Sequence, residues 1–165
     1  MKKEKTVSRE KVRSRALYLL EQQDRTENNL RKKLNETGYP PELIEDAVSF
    51  VKEYGYVDDE RYAHAFTESR GRSRSRKRVY QELLKRGIDR DTAEAALEQY
   101  YEGDERSMIR SLLQKKNYSF RDADPRERQR IYAYLLRRGF ESADILWAMR
   151  LSEFEDAASY SQEYF

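Results

Sequence analysis

Three stretches of this chain superpose without a gap when Gly38, Gly87 and Gly139 are aligned: NLRKKLNETGYPPELIEDAV, RVYQELLKRGIDRDTAEAAL and RIYAYLLRRGFESADILWAM. Eight residues before each glycine stand Leu30, Val79 and Ile131, and four before it Leu34, Leu83 and Leu135. One residue after it come Tyr39, Ile88 and Phe140; six after it come Ile44, Ala93 and Ile145. Nine and ten after it come Ala47, Ala96, Ala148 and then Val48, Leu97, Met149. Apolar residues at these offsets line one face of a helix before the glycine and one face of a helix after it. The glycine fits the left-handed residue that closes the first helix, with the next apolar side chain folding back onto it.

Each helix–Gly–helix pair is preceded by another helical pattern: RSRALYLLEQ, DERYAHAFTES and ERSMIRSLLQK. The chain therefore reads as three three-helix units whose glycines lie 49 and 52 residues apart. One such unit buries too little apolar surface to stand alone, so neighbours must stack. The predicted fold is all-α, a tandem array of three three-helix repeats forming an elongated, curved rod. Composition supports a high ratio of surface to core: 39% of the residues are charged against 38% hydrophobic, where an average soluble domain has roughly 25% charged. The expected boundaries are a basic N-terminal arm at 1–8, repeats at 9–55, 56–103 and 104–151, and an acidic, aromatic tail at 152–165.

The formal net charge of +2 conceals strong segregation. Lys2 to Arg15 carries seven basic residues against Glu4 and Glu10, and Arg70 to Arg86 carries eight against Glu82 alone. Asp91 to Glu105 has six acids and no base. Such segregation creates local fields that the sum hides. The core of the second basic run, RGRSRSRKR, straddles a predicted helix start: Arg70 ends one helix, and Arg76, Lys77 and Arg78 open the next. Arginine forks match phosphate oxygens, and unpaired N–H groups at the helix start would add affinity for an anion. Three cations there also oppose the helix dipole, at a cost of a few tenths of a kcal/mol each by a rough estimate, which an anionic partner would relieve. An acidic protein surface, or solvent alone, are the other two readings of the run.

Nothing in the sequence points to catalysis. Phosphate-loop, nucleophile-elbow and zinc-protease motifs are missing, and the single histidine, His64, sits on an amphipathic helix where packing explains it. With no cysteine, disulfides and thiolate metal sites are excluded. The acids of EYGYVDDERYA read as helix chemistry rather than as a metal site: Gly55 ends one helix, Asp58 caps the next, and Asp59 and Glu60 occupy its first turn. Val57 and Tyr62 have the spacing of a hydrophobic staple. Tyr80, Tyr132, Tyr134 and Trp147 could stack on nucleobases, but their repeat positions favour packing. No stretch is long and apolar enough to span a bilayer and no signal-peptide core follows the basic start, so a cytoplasmic protein is expected.

The segment GYVDDERYAHAF, followed by QELLKRGI and an alanine-rich helix, resembles the signature of the RecX family of bacterial recombination regulators. ALYLLEQQDRTENNLRKKL is similar to that family's opening helices, and the resemblance covers residues 12 to 150. Here Ser73 and Ser75 stand where the family usually has a glycine turn, and Ser75 is expected to cap the following helix. Thr26 replaces a common capping serine. Gly55, Tyr56, Asp58, Asp59, Tyr62, Ala63, Phe66, Leu83 and Gly87 match the family motif and are expected to be structural. The resemblance implies a non-enzymatic protein, without cofactor or metal, that acts as a monomer. It would lie in the groove of RecA filaments on single-stranded DNA, with double-stranded DNA as a further candidate, and restrain filament growth, ATP hydrolysis, strand exchange and coprotease activity. The residues expected to meet the filament are Arg70, Arg72, Arg74, Arg76, Lys77, Arg78, Lys85 and Arg86, with Lys11, Arg13 and Arg15 as a second basic arm. The alternatives are a free-standing helical DNA- or RNA-binding protein, or a helical-repeat adaptor for an acidic protein.

Overall fold

The computed structural model describes residues 7–150, and among them every regular element is helical. The helices are α1 (Arg9–Gln22), α2 (Glu27–Glu36), α3 (Pro41–Glu53), α4 (Asp59–Gly71), α5 (Arg76–Lys85), α6 (Arg90–Tyr100), α7 (Glu105–Lys115) and α8 (Pro125–Arg137). A further helical stretch runs over 142–150. The expected tail at 152–165 and most of the N-terminal arm lie outside the described residues.

The ends of these helices follow from the sequence. Ser8, Thr26, Asp104 and Asp124 cap α1, α2, α7 and α8 by accepting backbone N–H groups of the first turn. Asp58, Ser75 and Asp89 do the same for Arg61, Arg78 and Thr92. Gly38, Gly55, Gly87 and Gly139 all have φ between +72° and +90°. At Gly55 the turn is a Schellman motif, with Tyr56 N–H donating to the Val51 carbonyl at 2.8 Å and Gly55 N–H to that of Lys52 at 3.0 Å. Asn117, at φ +50°, makes the same pair of bonds after α7, with its own N–H on Gln114 and that of Tyr118 on Leu113. Asparagine tolerates the left-handed conformation better than other residues with a Cβ, so no glycine is needed there.

Of the eighteen aligned apolar residues, all but Tyr39 are buried, and Tyr39 is half-buried. Among the described residues they divide between two compact units, one built from residues 7–66 and 82–96 and the other from 67–81 and 97–150. The division passes through α4, α5 and α6, so the middle repeat contributes to both. In the first unit α1 packs mainly on α3, and Val12, Ala16, Leu19, Leu30, Leu34, Ile44, Val48, Val51 and Val57 form one core. In the second, Ile109, Leu112, Leu113, Ile131, Leu135, Phe140, Ile145 and Met149 form another.

A polar junction recurs within each unit. In the first, the Thr26 hydroxyl donates to the Arg86 carbonyl at 2.6 Å, and Asp59 Oδ1 accepts the N–H of Glu27, the first residue of α2, at 2.9 Å. In the second, Ser75 N–H donates to the Arg138 carbonyl at 3.0 Å, and Glu105 Oε1 accepts the N–H of Arg76, the first residue of α5, at 2.7 Å. The start of each of these middle helices is thus finished by groups from the following repeat: an acid in the first turn of its opening helix and the last carbonyl before its glycine. Those glycines seat directly on the helix start. A Cβ on Gly87 would overlap Asn28, and one on Gly139 would overlap Ser75 Oγ and lie 2.6 Å from Arg78 Cβ. The third middle helix begins with Pro125, which has no N–H to offer.

Candidate functional site

The basic turn of residues 70–78 lies in the second unit. Arg70 is exposed in the last turn of α4, and Arg72 is exposed just beyond it. Arg74 is half-buried, and its carbonyl accepts the Tyr101 hydroxyl at 2.7 Å. Arg76, Lys77 and Arg78 form the first turn of α5, with no acid among the first residues of that helix. Lys77 Nζ lies 3.1 Å from Glu141, both side chains being well exposed, so this pair is worth little.

One expectation about this turn is overturned. The backbone N–H groups of Arg76 and Arg78 at the start of α5 are not open to an external anion. Ser75 Oγ holds that of Arg78, Glu105 holds that of Arg76, and the N–H of Ser75 itself is on Arg138. The negative charge that the dipole and three cations call for comes from α7 of the same unit. Ser75 caps the helix as the sequence suggested, in a fully buried position. Ser73 takes another role: its carbonyl and hydroxyl both accept from Arg138 Nη1, at 3.2 and 3.0 Å.

Two clefts flank the turn within this unit. One, of about 390 Å³, is lined by Arg72, Lys115, Met108 and the edge-to-face pair Tyr100 and Tyr101. Gly71 belongs to it because the Tyr100 ring occupies the space a Cβ would need. Burial first, with Tyr100 and Glu105 adding to it, pushes the Tyr101 phenol well above the ordinary tyrosine range, so it remains a hydrogen-bond donor. The other cleft, of about 190 Å³, is lined by Arg74, Arg78, Tyr134, Arg137 and Arg138. Tyr100, Tyr101, Arg137 and Arg138 escaped the sequence reading because they lie in other helices or turns and match no motif.

The remaining expected site residues belong to the first unit. Lys85 is exposed, whereas the Arg86 guanidinium lies 4.3 Å from the Phe66 ring centroid and donates back to the Glu82 carbonyl. In the N-terminal set, Lys11 is exposed and Arg15 lies over the Tyr18 ring. Arg13 is committed to the fold: its Nε and Nη2 donate to Asp46 at 2.8 and 2.9 Å, and its guanidinium covers Phe50. That hydrogen bonding holds the Asp46 carboxyl below the usual range. Asp58 caps α4, Asp59 finishes α2, Tyr62 and Phe66 stack at 6.2 Å, Ala63 and Leu83 are buried, and Gly55 and Gly87 are left-handed. Tyr56 is exposed, as is its neighbour Tyr54. Burial first pushes the Asp59 carboxyl up, with the Glu27 N–H pulling against it. His64 is half-buried, and no cluster of three metal-ligating side chains occurs among the described residues. Of the tyrosines considered for base stacking, Tyr80 and Tyr132 are half-buried, and Tyr134 is contacted by Lys116 and Arg138. Trp147 is more exposed and lies under Arg106, which also bonds Asp144.

Comparison with known proteins matches three family models along the chain: the first three-helix domain of RecX at residues 13–50, the second at 58–97 and the third at 104–149. Among curated relatives, the regulatory protein RecX of Caldanaerobacter subterraneus subsp. tengcongensis is 38% identical over 148 residues, covering 88% of this chain and 73% of that one. That of Clostridium botulinum (strain Eklund 17B / Type B) is 29% identical over 133 residues, covering 79% of this chain and 63% of its own length. The chain thus spans between 63% and 73% of the length of these two relatives. The crystal structure of RecX from Lactobacillus salivarius superposes with a TM-score of 0.70 at 23% identity, over 88% of this chain and 97% of that one, a likeness of fold. A second RecX crystal structure gives 0.64 at 26% identity, over 82% and 68%. Three tandem matches in the expected order, over the helices that build both cores, place this chain in the RecX family of regulatory proteins.

Proposed function

We propose that the chain regulates homologous recombination and the SOS response by binding the groove of RecA filaments on single-stranded DNA. There it restrains filament growth, ATP hydrolysis, strand exchange and coprotease activity. The observation that carries this reading is the unbroken series of three RecX domains over residues 13–149. The basic turn supports it: Arg70, Arg72 and Lys77 are exposed on a segment whose backbone is fixed by Ser75, Arg138 and Glu105. A preorganised cationic surface loses little entropy on meeting an anionic partner. Arg74, Arg76, Arg78 and Lys85 extend the proposed surface. Arg86 and Arg13, engaged with Phe66 and Asp46, contribute positive potential rather than direct contacts. Lys11 and Arg15 form the secondary basic arm. The protein works as a cytoplasmic monomer without catalysis of its own, and no helix among the described residues is long and apolar enough to cross a membrane.

The test is RecA-dependent ATP hydrolysis on single-stranded DNA with substoichiometric amounts of the chain, alongside filament lengths by electron microscopy. Suppressed hydrolysis and shorter filaments are expected. Charge reversal at Arg70 and Arg72 should weaken both effects while circular dichroism is unchanged. Hydrolysis and filament length that ignore the wild-type chain would remove the proposal. Direct nucleic-acid binding without any effect on RecA would favour the free-standing nucleic-acid-binding reading.

A further inference from the structure

The cleft beside Gly71 departs from the repeat plan at the positions that line it. Relative to their glycines, Tyr100 and Tyr101 correspond to Val51 and Lys52 of the first repeat, and Gly71 and Arg72 to Gln22 and Gln23. Counted from the acids Asp59 and Glu105, Met108 corresponds to Tyr62 and Lys115 to Ser69. In the first repeat these positions serve the fold: Val51 is fully buried in the core, and Lys52 Nζ lies 2.8 Å from Glu27. There α3 also runs on to Glu53, whereas α6 stops at Tyr100, two positions short of the equivalent residue. One copy of the repeat is therefore built without two adjacent tyrosines, and folding alone does not account for them in the other.

What they line is a concavity of about 390 Å³, within the size range of small-molecule sites. Its walls are held in place. The Tyr100 ring fills the space a Cβ on Gly71 would need, and the Tyr101 hydroxyl donates to the Arg74 carbonyl at 2.7 Å. The two rings meet edge to face at 5.1 Å, and Met108 completes the apolar lining. Both rings are only half-buried, so part of each is open to a ligand. The charged lining is Arg72 and Lys115, both exposed, with no carboxylate among the lining groups. Tyrosine rings accept any nucleobase by stacking, and guanidinium and ammonium groups are the usual partners of phosphate oxygens. A purely apolar ligand would bring two cations out of water for nothing, and a bare anion would leave the aromatic wall wet. A flat heterocycle carrying a phosphate uses both parts of the lining.

We propose that this cleft binds a nucleotide, with the base on Tyr100 and Tyr101 and the phosphate on Arg72 and Lys115. The nucleotide is either free or one unit of a single strand. The inference goes beyond the filament reading, because it assigns a base-binding pocket and makes no use of a recombinase.

Tyrosine ring and methionine methyl resonances of the full chain are followed by NMR during titration with adenosine monophosphate at constant ionic strength. Adenosine, inorganic phosphate and a short oligothymidylate lacking terminal phosphates are titrated separately. Saturable shifts should concentrate on Tyr100, Tyr101 and Met108 and leave the exposed Tyr54 and Tyr56 unmoved. Adenosine should bind roughly tenfold more weakly than its monophosphate, and inorganic phosphate should leave the rings unmoved. Arg72→Gln with Lys115→Gln, exposed changes that leave the fold alone, should remove the advantage of the monophosphate. Tyr100→Val, which restores the residue of the first repeat, should abolish binding of adenosine and its monophosphate alike. Saturable shifts of both rings with the oligothymidylate assign a strand unit, and shifts with adenosine monophosphate alone assign a free nucleotide. No saturable response of these rings to either ligand, shifts spread evenly over all tyrosines, or unchanged affinity in the folded double variant would overturn the site. Because no RecA is present, that failure is separate from a failure to suppress its ATPase.

Discussion

Gly87→Ala isolates what the junction contributes beyond an ordinary helix end. Gly38 and Gly87 share the same backbone angle, φ +82°, so alanine meets the same local strain at both, roughly 1–2 kcal/mol. Their surroundings differ. No atom lies within 4 Å of a Cβ added at Gly38, whereas one added at Gly87 overlaps the Cβ, Cγ and Nδ2 of Asn28. Asn28 stands in the first turn of α2, so relief requires moving the helix start itself, and overpacking of this kind costs roughly 1–3 kcal/mol more. Urea denaturation of the full chain, monitored by circular dichroism, should therefore show Gly38→Ala losing about 1–2 kcal/mol and Gly87→Ala about 2–5 kcal/mol. Asn28→Gly in the Gly87→Ala background removes the obstructing side chain and should recover most of the difference, a coupling that a double-mutant cycle measures directly. Equal losses at the two glycines, or no coupling to Asn28, would show that the glycine is there for its backbone alone and that the junction packs loosely.

Three further outcomes follow from the same geometry. Thr26→Ala should cost more than Ser75→Ala, which loses only a cap of roughly 0.5–2 kcal/mol. The Thr26 hydroxyl also donates to Arg86, whereas Ser75 reaches Arg138 through its backbone; equal losses on denaturation, or no recovery in Thr26→Ser, would contradict this. Gly71→Ala should cost about 1–3 kcal/mol by displacing the Tyr100 ring, and an unchanged melting temperature would refute the close approach. Asp46 and Asp59 should give opposite pH dependences. The stabilisation from Asp46 is complete above its unfolded value, about 3.9, and is lost as pH falls through its depressed folded value. That from protonated Asp59 is complete below about 3.9 and is lost as pH rises through its raised folded value. Carboxyl-carbon NMR titration should place Asp46 below Asp59, and the reverse order would be inconsistent with both environments.

The fold was legible because the glycine register ties two helical faces together at fixed offsets, and burial then follows from periodicity. Tyr39, the aligned residue that is only half-buried, follows the glycine with open space around it, and its ring can leave a polar tip in water. Caps at Asp58 and Ser75 were readable since they act within one helical turn. The partners of Asp59 and Glu105 were not, because each acid reaches a backbone donor 32 or 29 residues earlier in the chain, a pairing set by how helices pack. For the same reason the helix start at Arg76 looked open to an anion when it was already filled. The cationic cleft was half visible: Arg74 and Arg78 belong to a conspicuous run, but Arg137 and Arg138 look like an ordinary basic helix end.

The junctions also give the chain a direction in time. The hydroxyl of Thr26 finds its carbonyl 60 residues later, so α2 cannot be finished while the following repeat is still inside the ribosome. At synthesis rates of about 5–20 residues per second, the first middle helix waits roughly 3–12 s for its partner. The second waits in turn for Glu105 and Arg138. The third, opening on Asp124 and Pro125, caps itself and has no proton at its first nitrogen for a successor to accept. Completion therefore runs forward along the chain but one repeat behind synthesis, each repeat sealing the one made before it, and a ribosome stalled after α6 would hold a nascent chain whose middle helix is still unsealed.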